Sequence, residues 1–506
     1  MNSDAASRAE RALVSASWWT ASKPAKAGYD SHRPTPASLA AILALSALAA
    51  GAAAPQKAAR ADRSETATAR KFSAVRHSPL QLRAFLRAMP KGGDLHNHLS
   101  GAIYAESYLR WAAEDQLCLS TTTMAIVVCD GTPGQIAGAD VLQNATLYNQ
   151  AIDAMSMRHW NPALNGHDHF FAAFARFGPV SGKTAEMLAE VVSRAASERV
   201  TYLELMLTPD PTPATLGRAT GWDPDLARLR DRLLAAGLRS TVTAQVRARL
   251  DAAEARLRQL LRCAARDADP GCTVVVRYIA QVGRSGPKEA VFAQMLAWFE
   301  LAGAEPRVVS LNLVQPEDHP TAVQDFTLHM TMLDFLHRQY PRVPIALHAG
   351  ELVDGLVPPE ALRFHVRQSI RMGHASRIGH ATSVMNEDDP FGLLRELAAR
   401  NVLVEVALSS NEQILGGTGK QHPLGLLLQH RVPVAIVTDD MGVSRSSHTQ
   451  EFAKAVEQHG LDYLTLKRMV RNSIEYAFVD ATTKSRLKTD LENAFRAFER
   501  QQPMVK

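Results

Sequence analysis

From about residue 185 onward, short apolar runs alternate with helical stretches. This rhythm limits the fold more tightly than any other feature of the chain. Strand-like runs fall at 200–207, 273–279, 308–313, 345–349, 377–381, 402–407 and 434–437, and helical patterns between them include 224–236, 287–302, 322–338 and 390–399. Runs that are apolar throughout suit strands buried on both faces, and helical crossovers imply parallel pairing. An earlier run, Gly92-Gly93-Asp94-Leu95-His96-Asn97-His98, brings the strands to eight. Eight β/α units predict an α/β chain closed as a (β/α)8 TIM barrel. The rival is an open doubly wound sheet, which usually carries a glycine-rich phosphate loop; no G-x-G-x-x-G follows a strand here.

A barrel of this kind keeps its chemistry at the C-terminal ends of its strands. The first strand ends in His96-Asn97-His98, the fifth in Leu347-His348-Ala349-Gly350-Glu351 and the sixth in Ile378-Gly379-His380-Ala381. The seventh leads into Ser409-Ser410-Asn411 and the eighth into Thr438-Asp439-Asp440. Side chains alternate along a strand, so His96 and His98 point the same way. Buried charge is costly unless it is paired or metal-bound. Five strand ends bearing such groups at one mouth therefore point to a functional centre.

His96, His98, His348 and Asp439 make an imidazole-rich set with one carboxylate, which suits one zinc ion per chain with a position left for water. Water so placed is acidified toward neutral pH. His380, on the adjacent strand, is expected to take its proton or hold it in line. Glu351 is the expected proton donor to a substrate. Asp440 cannot share the direction of Asp439 on a regular strand and is read as a substrate contact. Gly350 lets backbone approach a ring closely.

Residues 1–61 read as a leader, with the folded part at 62–506. A basic lead is followed by an Ala- and Leu-rich run over 38–54, with Ala52-Ala53-Ala54 and Ala59-Arg60-Ala61 as candidate cleavage sites. The pattern is that of a secretory signal peptide, too short and Ala-rich for a stable membrane span, and it predicts a secreted or periplasmic protein. Four cysteines agree with export, and their spacing favours the local pairs Cys118–Cys129 and Cys263–Cys272. The stretch at about 117–185 is too long for a connection and reads as an insertion, with a small hairpin from Cys118 to Cys129 and helices near 139–158 and 168–177. Its aromatics, Trp160, Phe170, Phe171, Phe174 and Phe177, fit core better than ligand contacts. The net charge of +5 on 506 residues is a mild surplus without a basic, aromatic-interleaved patch, which argues against nucleic acid.

The ordered set Leu95-His96-Asn97-His98-Leu99, His348-Ala349-Gly350-Glu351, Arg377-Ile378-Gly379-His380-Ala381, Ser410-Asn411 and Thr438-Asp439-Asp440 resembles the adenosine deaminase family across 91 to about 480. The insertion and leader resemble its secreted, growth-factor-related branch. The resemblance implies zinc on His96, His98, His348 and Asp439. It implies water oriented and deprotonated by His380, a purine ring nitrogen protonated by Glu351, and a five-membered-ring nitrogen held by Asp440. The implied reaction converts adenosine or deoxyadenosine to inosine or deoxyinosine and releases ammonia. A small purine is the implied partner, and a homodimer is left open.

Departures from the family pattern bear on the substrate. Ser100 stands where the family often has Asp near the ribose, and Gln315 where it commonly has glycine near the purine. Arg445 follows the aspartates and could meet an anion, although a solvated loop charge is the plainer reading. These positions motivate a rival substrate, a nucleotide or an N6-modified adenine derivative. A rival of another class is a non-catalytic nucleoside-binding or signalling protein, which should have lost a ligand or the acid; none is lost. His167-Asp168-His169 opens a helix, so its histidines should diverge, with Asn165 or Asp168 as cap. Glu204 is expected in a buried ion pair. His374, His422 and His448 are expected near the mouth, with at most one touching substrate.

Overall fold

The computed structural model describes residues 63–161 and 166–501. The leader expected at 1–61 and the candidate cap Asn165 lie outside the described residues. The eight expected strands form at Gly92–His98 (β1), Val200–Leu207 (β2), Val275–Gly283 (β3), Val308–Val314 (β4), Ala346–Ala349 (β5), Arg377–His380 (β6), Leu403–Val406 (β7) and Val434–Ile436 (β8). They pair in chain order as β1-β2-β3-β4 and β5-β6-β7-β8, all parallel. Parallel bridges Leu311↔Ile345 and Asn97↔Asp439 join the two runs at both seams. The second seam is fastened by side chains as well: Thr438 Oγ1 donates to Asp94 Oδ2 at 2.5 Å, and Asn97 Nδ2 reaches Thr438 Oγ1 at 2.9 Å. The architecture is the expected α/β barrel.

Short strands suffice because helices cover the outer faces. Lys288–Ala304, for example, buries every residue from Ala290 to Leu301. Two expectations need adjustment. β3 starts two residues later than predicted, because Asp269 caps a turn over Pro270–Thr273 beside the Cys263–Cys272 bridge. The stretch 322–338 divides at Asp325 into Pro320–Gln324 and Phe326–His337.

The segment after β1 carries an antiparallel sheet with Cys118–Ser120 between Ile126–Val127 and Gln135–Ala137, closed by the expected Cys118–Cys129 bridge. Three helices follow: Gly138–Gln143, Ala145–Ala154 and His167–Phe174. The last lies against Leu408–Leu415, so close that a side chain at Gly166 would strike the carbonyl of Gln413. His169 Nε2 bonds the Asp153 and Ser156 carbonyls, while His167 turns to Asp318. The two rings do diverge. Asp168 is no cap; it is exposed and bonds His167 Nδ1 instead. No helix among the described residues is long and apolar enough to cross a membrane.

Candidate metal and catalytic site

At the C-terminal mouth, His96, His98, His348 and Asp439 bring one ligand atom each to a common point. Nε2 of His348 lies 3.0 Å from Nε2 of His96 and 3.2 Å from Nε2 of His98, and Asp439 Oδ1 lies 3.4 Å from both β1 rings. Ligands about 2.0–2.1 Å from a tetrahedral ion stand roughly 3.3 Å apart, so the set has the size of a metal site. Local backbone makes it. Alternation sends both β1 histidines inward, and Gly379 leaves room for the His96 ring, which a Cβ there would approach to 2.7 Å. Asp439 has φ +57, His380 +71 and Ala381 +53, left-handed values that non-glycine residues seldom adopt. Such strain is held where the surroundings over-determine it, commonly at functional sites.

Each ring is oriented from behind. Glu405 Oε2 is 2.8 Å from His96 Nδ1, Asn312 Oδ1 is 2.8 Å from His348 Nδ1, and the Gln281 amide is 2.7 Å from His98 Nδ1. Glu405 and Asn312 present oxygens to Nδ1 and so leave Nε2 of His96 and His348 bare toward an ion, whereas Gln281 brings its amide nitrogen to Nδ1 of His98. Sequence reasoning missed all three. The signal available was a polar side chain inside an apolar strand, the same signal that did expose Glu204. Glu204 is in a buried ion pair, as expected, 2.5 Å from Arg377, which holds Glu405 at 2.7 Å on its other side.

Charge also fits a cation. Burial pushes His98 down to about 3 and His348 well below its usual range, leaving both neutral, the ligating form. Burial opposes a charge on His96 too, yet the hydrogen bonds and charges of Asp439 and Glu405 raise it to about 10. Two buried carboxylates thus call for a positive centre between them, which a divalent ion would supply.

Glu351 and His380 stand beside Asp439. Burial, then the charges of Asp439 and Glu317, push Glu351 well above the carboxylate range, which favours its protonated form. Its backbone is pinned by Glu317, which accepts from Gly350 N at 3.0 Å and Glu351 N at 2.8 Å. Burial alone would raise Glu317, but the hydrogen bond and charge of His365 and the charge of Arg284 hold it at about 2. Burial and Asp439 likewise push Asp440 up.

A cavity of about 470 Å³ opens onto this floor. His98, His348, Glu351, Asp439, Asp440, Ser100, Gln281 and Gln315 line it below; Phe170, Phe171, Phe174 and Ile414 line it above. Of the aromatics read as core rather than ligand contacts, Phe170, Phe171 and Phe174 therefore also line the cavity. Gln315 accepts from Ser285 N at 3.0 Å, so its amide oxygen is already engaged. Gly350 does not line the cavity; at φ +76 it makes the turn that presents Glu351. Arg445 pairs with Glu106 at 2.7 Å. Of the three further histidines, His374 lies before the start of β6, away from the mouth, bonded to Asp334. His448 bonds the Ile436 carbonyl and His422 bonds Asn411, and neither lines the cavity.

A family model described as Adenosine deaminase matches residues 180–494. The chain belongs to the adenosine deaminase family. An adenosine deaminase of Enterococcus faecalis is 30% identical over 156 residues, 30% of this chain and 42% of that protein. An adenine deaminase of Chelativorans sp. is 33% identical over 144 residues, 28% and 41% respectively. The chain thus spans about two fifths of the length of these curated relatives. Among solved structures, the N6-methyl-AMP deaminase of Arabidopsis thaliana superposes with a TM-score of 0.54 at 20% identity, covering 82% of this chain and 99% of the other. An amidohydrolase from Burkholderia ambifaria with bound Zn superposes at 0.53 and 18% identity, covering 83% and 94%. Both share the fold.

Proposed function

We propose that this member of the adenosine deaminase family hydrolytically deaminates a 6-aminopurine nucleoside, adenosine or deoxyadenosine, with one zinc ion on His96, His98, His348 and Asp439. The observation that carries the reading is the convergence of three Nε2 atoms and one carboxylate oxygen, all within 4.8 Å of one another and with separations of 3.0–3.4 Å between His348 or Asp439 and the two β1 rings, with the buried Glu351 carboxyl beside them. Zinc in this donor set supplies a Lewis acid that makes water nucleophilic near neutral pH.

The chain's own residues do the rest. Glu351 holds its proton for the ring nitrogen next to the amino-bearing carbon, the atom that gains electron density as an oxygen adds there. Asp440, pushed up by burial and by Asp439, favours its protonated form and in it donates to the five-membered-ring nitrogen, an acceptor. His380 faces the same oxygen and holds it in line. Addition breaks the purine's conjugation; of the water's two protons one leaves on the departing ammonia and the other restores Glu351, and loss of ammonia restores conjugation as the 6-oxo product.

The cavity favours a nucleoside over a nucleotide. Its described lining contains no lysine or arginine, three carboxylates and three phenylalanines. A phosphate there would lose its hydration and gain no counter-charge. Relatives in the family include proteins named for adenosine, adenine and aminodeoxyfutalosine, so the substrate panel must reach beyond adenosine. The disulfides and the Ala-rich leader support export to an oxidising compartment. Ammonia release from adenosine, deoxyadenosine, adenine, AMP and N6-methyladenosine tests the reading, before and after chelation and zinc restoration. Turnover greatest on the two nucleosides and lost with the metal supports it; AMP as the best substrate, or full activity without metal, refutes it.

A further inference from the structure

Behind His380 runs a chain of hydrogen bonds whose direction is set by a backbone group. Leu424 N donates to His422 Nδ1 at 3.1 Å. A backbone N–H can only donate, so His422 Nδ1 is an acceptor and the neutral ring carries its proton on Nε2. His422 is buried, and burial first, then the nearby His459 and His380, push it down to about 3, so the ring is neutral. His422 Nε2 faces Asn411 Oδ1 at 3.2 Å and therefore donates to it. That leaves the Asn411 amide with Nδ2 toward His380 Nδ1, 2.9 Å away. An amide NH2 can only donate, so His380 Nδ1 accepts. The alternative, Asn411 turned over, would set its NH2 against the His422 Nε2–H. The Glu351 oxygen 3.5 Å from His380 Nδ1 is too far to compete.

We infer that Asn411 and His422 are positioning residues that fix the ring proton of neutral His380 on Nε2, the nitrogen they leave unengaged. His380 Nε2 is buried and has no partner among the described residues, and the ring stands beside Glu351 and Asp439, so this nitrogen is the one left to donate to a substrate-side oxygen. His380 then holds the attacking oxygen by donating to it, a role distinct from accepting a proton at that nitrogen. The consequence for turnover rests on the proposed deamination; the tautomer itself does not.

The test is imidazole 15N–1H correlation spectroscopy on the full chain labelled in histidine, metal-free and zinc-loaded, with the His380 signals assigned against His380→Gln. A protonated Nε2 and bare Nδ1 are expected for His380. In Asn411→Asp the carboxylate can accept from both rings, so the His380 proton should move to Nδ1, with kcat falling about 10²-fold and KM and zinc content little changed. His422→Gln keeps a donor toward Asn411 and should retain the wild-type tautomer, whereas His422→Leu should give a mixture. A bare Nε2 in the wild-type protein overturns the inference without recourse to any variant, and so does an Asn411→Asp protein whose His380 tautomer is unmoved. If the tautomers behave as stated but no purine is deaminated, the functional proposal fails and this inference stands.

Discussion

The floor and the roof of the cavity are built on different principles. The floor is made of strand ends, where ligand rings are backed by buried partners: Glu405 behind His96, Asn312 behind His348, Gln281 behind His98. The roof is chiefly one eight-residue helix from the segment inserted after β1, His167–Phe174, which offers aromatic surface, with Ile414 beside it. The two meet in adjacent residues after β4. Glu317 pins the backbone of Glu351 below, and Asp318 holds His167 above at 3.0 Å. The difference teaches where chemistry and selectivity reside. A floor locked by second partners tolerates little change, whereas a helix resting on the barrel can change its side chains without disturbing the ion site.

The largest effects should therefore come from the floor. His348→Ala should lose bound zinc and nearly all deaminase activity, read by metal analysis and ammonia release. Retention of stoichiometric zinc would break the assignment of the floor. Glu351→Gln should keep zinc, since Glu351 is outside the four-ligand set, but lower kcat by about 10²–10⁴-fold, the usual contribution of a general acid. Glu405→Gln touches no substrate. It weakens the backing of His96 and should cost about 10–100-fold in zinc affinity, measured by competition with a chelator. An unchanged affinity would mean that the backing residues hold only the fold.

The same contrast explains what could be read in the sequence. The floor was legible because strand-end motifs combine few residue types with a strict period, so His96, His98, His348, Glu351, His380 and Asp439 could be named before any coordinates. Its backing was not, because Gln281, Asn312 and Glu405 sit singly inside apolar runs where polarity says only that a partner exists. The roof was half legible. The phenylalanines at 170, 171 and 174 follow helical spacing, which fits core and cavity wall equally; only packing against Leu408–Leu415 decides that they are both. The helix Leu238–Leu260 went unread for a related reason. Its buried positions, Leu238, Val242, Val246, Leu250 and Ala253, form a stripe one residue wide on a charged surface.

Changes to the roof should be smaller and should act on binding. Phe174→Ala removes apolar wall without touching the floor, and should raise KM about 10-fold, equivalent to about 1.4 kcal/mol, with kcat nearly intact. Phe174→Arg should narrow the gap between AMP and adenosine by supplying the counter-charge that the lining lacks. If either variant lowers kcat more than it raises KM, floor and roof are coupled more closely than their construction implies.

The smallest effect concerns the tie between them. The hydrogen bond from His167 to Asp318 raises the histidine above its usual value of 6.5, against the opposing effect of burial, and Asp168 adds to the rise. A histidine raised in the folded state contributes its stabilisation in full below the unfolded value of about 6.5 and loses it as pH climbs through the raised folded value. The roof helix should accordingly be tethered best in mildly acidic solution and loosen on the alkaline side. Thermal stability and KM measured across that window should therefore shift in the wild-type chain, in the direction of lower stability and higher KM as pH rises. In Asp318→Asn the larger of the two charges that sustain the protonated ring is gone and only Asp168 remains, so both curves should become shallower there while zinc content and kcat stay put. A wild-type profile as flat as the variant's would show that the helix is held by its other contacts, and that the charge pair merely accompanies them.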